Sequence, residues 1–324
     1  MKNGKLLIMS TLLLTACFGA TSCSNNDGLV NIGILQYATH DALTLCKEGF
    51  IEALSEAGFE DGKNIKITVE NPEGTNSTMS SMARNLVISN DLLFGIATPA
   101  ALSLKTSLKD YNKETPLFFT AVTDPIDAGL CASFTDHGNV TGTSDAGPTA
   151  KNIALFKEFG INKIGILWNT AEKNSQIQKE ETEQACKELG IELVDGGITS
   201  STQISSKLNG LVASGVKGIF VPTDNMVAGA IESIKEVCIQ NKIVSVCADG
   251  LVTDKGGSLG FTVDYKVLGT TTGKMAAKVL SKETTIDKID VSLADYFPLS
   301  INEEFFEKTG IEIPDSIKDL KENN

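Results

Sequence analysis

The residues best able to do chemistry in this chain form short polar clusters, each just after a brief apolar run. Asp224 and Asn225 follow Gly218-Ile219-Phe220-Val221 and precede an apolar, helix-like stretch. A carboxylate in that position can accept hydrogen bonds from an ammonium group, or cap the helix behind it. Asp249 stands in the same relation to Ile243–Val246, and Asp264 to Ser258–Val263. Acids crowded in one cleft repel one another, so at least one of the three is expected to pair with a cation such as an ammonium. Thr98, with Pro99 and Ala100 opening the next helix, is the complement: a hydroxyl and helix N-terminal N–H groups suit a carboxylate, and a plain N-cap is the alternative. Arg84 is the single arginine of the chain, so a ligand carboxylate has few other partners. Thr123 and Asp124 precede Pro125, where ligand contact and an Asx-type turn both fit. Ser144, beside Asp145, offers either a cleft hydroxyl or a hinge turn. Tyr37 and Trp168 end two equivalent apolar runs. Across a cleft they would sandwich a flat ring; separately, each is an ordinary core aromatic.

These clusters recur because the chain is built twice. Asn31-Ile-Gly-Ile-Leu35 and Lys163-Ile-Gly-Ile-Leu167 each read as a buried parallel strand leading through a loop into a helix, Leu43 to Ala57 and Ser175 to Leu189. Leu92–Ala97 matches Gly218–Val221, Leu117–Thr120 matches Ile243–Val246, and Gly138–Thr143 matches Ser258–Val263. Strand and helix alternate, which gives an α/β fold of two Rossmann-like lobes, each a parallel sheet flanked by helices, with a ligand cleft between them. Ligands of open α/β sheets sit beyond the carboxyl ends of the strands, where the polar clusters are. The expected division is residues 29–145 plus about 266–285 for the first lobe, and 146–265 plus about 286–324 for the second. Gly269, Gly273, Ala276 and Ala277 suggest that the returning helix packs closely on the first lobe.

The composition is that of an ordinary globular protein: 324 residues, 41% hydrophobic and 21% charged, with a formal net charge of −13. A surface this acidic repels phosphate backbones, so nucleic acid is not an expected partner. Lys2 and Lys5 precede the apolar run Leu6–Leu14, which is too short to span a bilayer and reads as a signal peptide. Residues 1–22 are therefore expected to be leader and tether. Leu14-Thr15-Ala16-Cys17 resembles a lipobox, with Cys23 as the alternative lipidation site, so the chain is expected outside the cytoplasm on a lipid anchor. The other five cysteines are scattered, with no metal-ligand spacing, and no metal or cofactor is expected. Catalysis finds little support. The chain has two histidines, His40 and His137, no HExxH, no GxSxG and no GxxxxGK[ST]. A DNA-binding regulator of similar architecture would carry a helix-turn-helix where the leader lies.

Seven ordered segments, IGILQYATHDAL, EGFIEALSEAGF, IATPAA, FTAVTDPIDAGL, GNVTGTSD, PTDNMVAGAIE and TVDYKVLGTTTGKMAAKVL, together resemble the tryptophan-type ABC transporter substrate-binding lipoproteins over about Asn31 to Phe305. The resemblance implies a type I periplasmic-binding-protein fold, an aromatic amino acid such as tryptophan as ligand, and an ABC permease and ATPase as partners. It also places the loop bearing Asn169, Glu172, Asn174 and Ser175 over the ligand, although Asn174 and Ser175 equally suit a helix N-cap. Val246-Cys247-Ala248-Asp249-Gly250 and Trp168 depart from the pattern. A nucleoside, a sugar, a branched-chain amino acid or a sensing role is the alternative, since fold alone does not choose a ligand.

Overall fold

A computed structural model describes residues 28–322. The expected leader, Cys17 and Cys23 lie outside them. The first lobe runs through β1 (Val30–Gln36), α1 (Asp41–Glu56), β2 (Ile65–Glu70), α2 (Asn76–Ser89), β3 (Leu92–Ile96), α3 (Thr98–Asp110), β4 (Leu117–Val122) and β5 (Val140–Ser144). The second holds α4 (Thr149–Glu158), β6 (Lys163–Asn169), α5 (Lys173–Leu189), β7 (Glu192–Ile198), α6 (Ile204–Ala213), β8 (Gly218–Val221), α7 (Asn225–Ala228), α8 (Ile231–Asn241), β9 (Val244–Cys247), α9 (Gly250–Lys255) and β10 (Leu259–Phe261). Then come α10 (Tyr265–Leu280), β11 (Ser292–Leu293), β12 (Leu299–Ile301), α11 (Glu303–Thr309) and α12 (Asp315–Glu322).

The sheets have the orders β11-β5-β4-β3-β1-β2 and β12-β10-β9-β8-β6-β7. Apart from the edge strands β11 and β12, the second order repeats the first. Pairing is parallel throughout except β10 with β12. The inner strands β3, β4, β8 and β9 are buried at every position, as helices on both faces require. Each lobe has its own apolar core, one around Phe50, Phe94 and Phe118 and one around Phe156, Phe220 and Phe305.

The chain passes between lobes after β5, after β10 and after β11. Asn152, in α4 just after the first passage, receives a hydrogen bond from the N–H of Phe261, in β10 just before the second, at 2.7 Å and donates one to its carbonyl at 3.0 Å. Helix α10 packs on α1 in the first lobe. A Cβ on Gly269 would lie 2.0 Å from the Cys46 carbonyl oxygen, and one on Gly273 2.6 Å from that of Phe50, so the helices meet backbone to backbone. One boundary differs from expectation. Residues 286–293 remain with the first lobe: Ile286 and Val291 join its core, and β11 pairs with β5. Phe297 packs against both cores, and the second lobe resumes only at β12. The sequence here is short, polar and without helical period, so only burial of Ile286 and Val291 decides its side.

Candidate functional site

The carboxyl ends of β1, β4 and β5 face those of β6, β8, β9 and β10 across the cleft. Between them lies a small enclosed pocket of about 20 Å³ lined by His40, Thr123, Asp145, Asn174, Thr223, Asp224, Asn225, Asp249 and Tyr265, with Leu43, Ala121, Pro222 and Ala228 beside them. That volume holds about one small polar group. Two hydrogen bonds cross it from lobe to lobe: Thr123 Oγ1 with Thr223 Oγ1 at 3.1 Å, and His40 Nε2 with Asn225 Oδ1 at 3.0 Å. Farther out, Lys173 pairs with Asp127 and Lys255 with Asp41, each at 2.8 Å. Beyond the His40–Asn225 pair opens a second hollow of about 460 Å³, lined by Tyr37, Glu73, Glu172, Thr199, Met226 and Ala230 among others. A larger hollow of about 640 Å³ around Phe159, Ile311 and Ile313 lies away from the strand carboxyl ends.

The acids of this site differ in how their oxygens are occupied. Asp224 is fully committed to its own lobe. Its Oδ1 accepts from the Val227 N–H at 2.9 Å, and its Oδ2 from the Asn169 N–H at 2.5 Å and the Ser175 hydroxyl at 2.7 Å. Asp249 caps α9 with Oδ1, which accepts from the Leu251 N–H at 2.8 Å. Asp145 accepts from the Tyr265 hydroxyl through Oδ2 at 3.3 Å, the Thr123 hydroxyl also favours its charged form, and its buried Oδ1 has no hydrogen-bond partner among the described residues. Neither has Asn174 Oδ1, while Asn174 Nδ2 donates to the Thr223 carbonyl at 2.6 Å.

No lysine or arginine lines the pocket, and burial therefore raises its acids. Asp145 and Asp249 are each pushed up to about 6, chiefly by desolvation. Glu172 is pushed up to about 7 by burial and then by the charge of Asp224, itself raised by burial. Burial lowers His40, which keeps its imidazole neutral. The pocket is thus rich in acceptors and poor in positive charge. The chemical complement of that arrangement is a cation carrying several N–H donors.

A sequence profile described as "ABC transporter substrate binding protein" matches residues 31–323. The chain belongs to this family. Its members bind solutes; they are not enzymes, and they work outside the cytoplasm. No helix among the described residues is long and apolar enough to cross a membrane. The substrate-binding protein is 33% identical to a tyrosine-binding protein of Clostridioides difficile (strain R20291), over 94% of this chain and 91% of the relative. It matches the ABC domain of Streptococcus pneumoniae in complex with L-Trp at a TM-score of 0.84 and 32% identity, covering 90% of this chain and 98% of that one. A ligand-free, open substrate binding protein with adhesive properties from Clostridium difficile matches at 0.66 and 33% identity, covering 88% and 96%. The fold is that of the type I periplasmic binding proteins.

Within this substrate-binding protein the expected contacts separate. Thr123, Asn174, Asp224, Asn225 and Asp249 meet at the enclosed pocket. Tyr37 lines the outer hollow, its hydroxyl 3.5 Å from the Gly74 carbonyl oxygen. Thr98 and Pro99 instead line a hollow of about 520 Å³ with Arg84 and Lys173, and Ala100 is buried in the first core. Asp124 forms the Asx-type turn, accepting from the Ile126 and Asp127 N–H groups at 2.9 Å. Ser144 forms the turn into the second lobe, donating to the Thr123 carbonyl at 2.8 Å. Asn169 and Ser175 support Asp224 and Glu172 from behind. The ring sandwich is absent: Trp168 belongs to the second core and donates to Asp195 Oδ1 at 2.7 Å. Asp145, Thr223 and Tyr265 were not singled out, because each adjoins a residue with a stronger local signal: Ser144, Asp224 and Asp264.

Proposed function

We propose that this substrate-binding protein is the capture subunit of an ABC importer and takes up an aromatic amino acid by closing its two lobes on it. The observation that carries this reading is the pair of unpartnered buried acceptors, Asp145 Oδ1 and Asn174 Oδ1, in a pocket without a lysine or arginine. They suit an α-ammonium, held by Asp145 and Asp249 from opposite lobes. Tyr37 and Met226 then offer an aromatic and a polarisable face to a ring in the outer hollow. Relatives that bind tyrosine and L-Trp support the ligand class. Closure draws support from the cross-lobe hydrogen bonds and from the better match to the L-Trp complex than to the open relative. The permease and ATPase partners follow from the family.

Calorimetry against the twenty amino acids, with nucleosides and sugars as controls, tests the ligand. Tyrosine or tryptophan is expected to bind and to raise the melting temperature. Binding of a sugar or nucleoside with silence from every aromatic amino acid would sink the assignment. The lipid anchor is part of the same proposal, with Cys17 as its site and Cys23 as the alternative. Mass spectrometry of the mature N-terminus from its native membrane would show a diacylated cysteine, and an unmodified N-terminus would remove the anchor.

A further inference from the structure

The enclosed pocket and the outer hollow share two lining residues, His40 and Asn225. Anything that fills either space therefore touches His40, and its protonation pattern is set by a relay that begins at Glu172. The Glu172 carboxylate, 2% exposed, is surrounded by donors. It accepts from Asn169 Nδ2 at 3.1 Å, Asn174 Nδ2 at 3.3 Å, the Asn225 N–H at 3.3 Å and Asn225 Nδ2 at 2.5 Å. Two of these amides are fixed independently, because Asn169 Oδ1 accepts from the Ala171 N–H and Asn174 Nδ2 donates to the Thr223 carbonyl. With Glu172 ionised, above about pH 7, a flipped Asn225 would set its carbonyl oxygen against a carboxylate oxygen, so its Nδ2 faces Glu172.

The rest follows from donor and acceptor chemistry. With Nδ2 on Glu172, Asn225 presents Oδ1 to His40 Nε2, and an oxygen acceptor requires Nε2 to carry the proton. The ring is neutral, since burial disfavours its charged form. A neutral imidazole protonated at Nε2 has a lone pair at Nδ1. We infer that His40 reads the ligand's ring, its Nδ1 accepting a hydrogen bond from a ring O–H or N–H, with Asn225 and Glu172 as the positioning residues that fix its tautomer. This inference rests on the aromatic reading above and narrows it to rings that carry a donor, a phenol or an indole and not a plain phenyl.

The test is calorimetry of the wild-type protein with L-tyrosine, L-tryptophan and L-phenylalanine, repeated on His40→Leu. His40 precedes α1 without a side-chain capping bond, so the substitution removes no cap. The wild type is expected to prefer the donor-bearing rings by roughly tenfold, the scale of one hydrogen bond. In His40→Leu that preference is expected to fall to within about twofold, on top of any weakening common to all three ligands from loss of the cross-lobe bond to Asn225. Nitrogen-15 NMR of the imidazole supplies a readout that does not depend on affinity: His40 is expected as the Nε2–H tautomer, mixing with the other tautomer in Glu172→Gln. A preference that survives in His40→Leu, or a His40 protonated at Nδ1 in the wild type, overturns the inference and leaves the aromatic assignment standing. Failure of all three amino acids to bind overturns both.

Discussion

Asp145→Asn is expected to destroy ligand binding while making the protein more stable. Asp145 is 3% exposed, its Oδ1 has no partner among the described residues, and its Oδ2 accepts from the Tyr265 hydroxyl at 3.3 Å. An α-ammonium would find there a desolvated, charge-assisted partner, and loss of such a buried pair weakens binding by about 2–5 kcal/mol, or at least roughly thirtyfold in Kd. The stability effect has the opposite sign. Burial raises this carboxyl from 3.8 to about 6, so the folded state holds the proton more tightly than the unfolded one. The resulting penalty is absent below the unfolded value, grows as pH rises from about 4 to about 6, and is complete above that, at about 3 kcal/mol. Asparagine keeps an acceptor for Tyr265 without the charge. The melting temperature of Asp145→Asn should therefore exceed that of the wild type at pH 7.5, and the two should converge near pH 4. Unchanged affinity would remove Asp145 from the site, and a lower melting temperature at pH 7.5 would contradict the account of its burial.

Asp224→Ala should act the other way, through the fold of the second lobe. Its carboxylate ties together three elements, accepting from the N–H groups of Asn169 at the end of β6 and Val227 in α7 and from the hydroxyl of Ser175 in α5. Alanine leaves those donors buried and unsatisfied, at roughly 1 kcal/mol or more each, offset in part by removing a buried charge. A net loss of about 1–2 kcal/mol is expected, visible as a fall of a few degrees in melting temperature without ligand. Affinity falls too, because Asn174 and Thr223 lose their support. A variant that melts like the wild type yet binds nothing would make Asp224 the ammonium contact and displace Asp145 from that role.

The contrast between these two acids shows where the sequence was legible. The inner strands announced themselves as apolar runs, and their repetition at Asn31 and Lys163 was enough to expect two lobes with polar strand ends facing a cleft. Gly269 and Gly273 likewise signalled the close packing of α10. The edge strands Ile65–Glu70 and Glu192–Ile198 carried no such signal, because half-exposed edges alternate and admit charged residues. Within the site, residue type and position singled out Asp224, Asp249, Asn225 and Asn174. Which acid is free to meet a ligand depends on where each oxygen's hydrogen bonds go. An aspartate at a strand end before a helix reads the same whether it caps or binds, and only the surrounding N–H groups separate Asp224 from Asp145. Trp168 fails for a related reason: it is the last but one residue of β6, paired with β7 at Gly197, and its indole turns to Asp195 and away from the cleft.

The most direct measurement compares wild-type binding of L-tyrosine with that of its deaminated analogue, 3-(4-hydroxyphenyl)propionate, by calorimetry at pH 7.5. Both carry the same ring and carboxylate, and only one has the ammonium that Asp145, Asp249 and Asn174 are proposed to receive. The account predicts that tyrosine binds and that the analogue binds at least roughly thirtyfold more weakly. Equal binding of the two would contradict it, because the acids of the cleft would then have no part in holding the ligand.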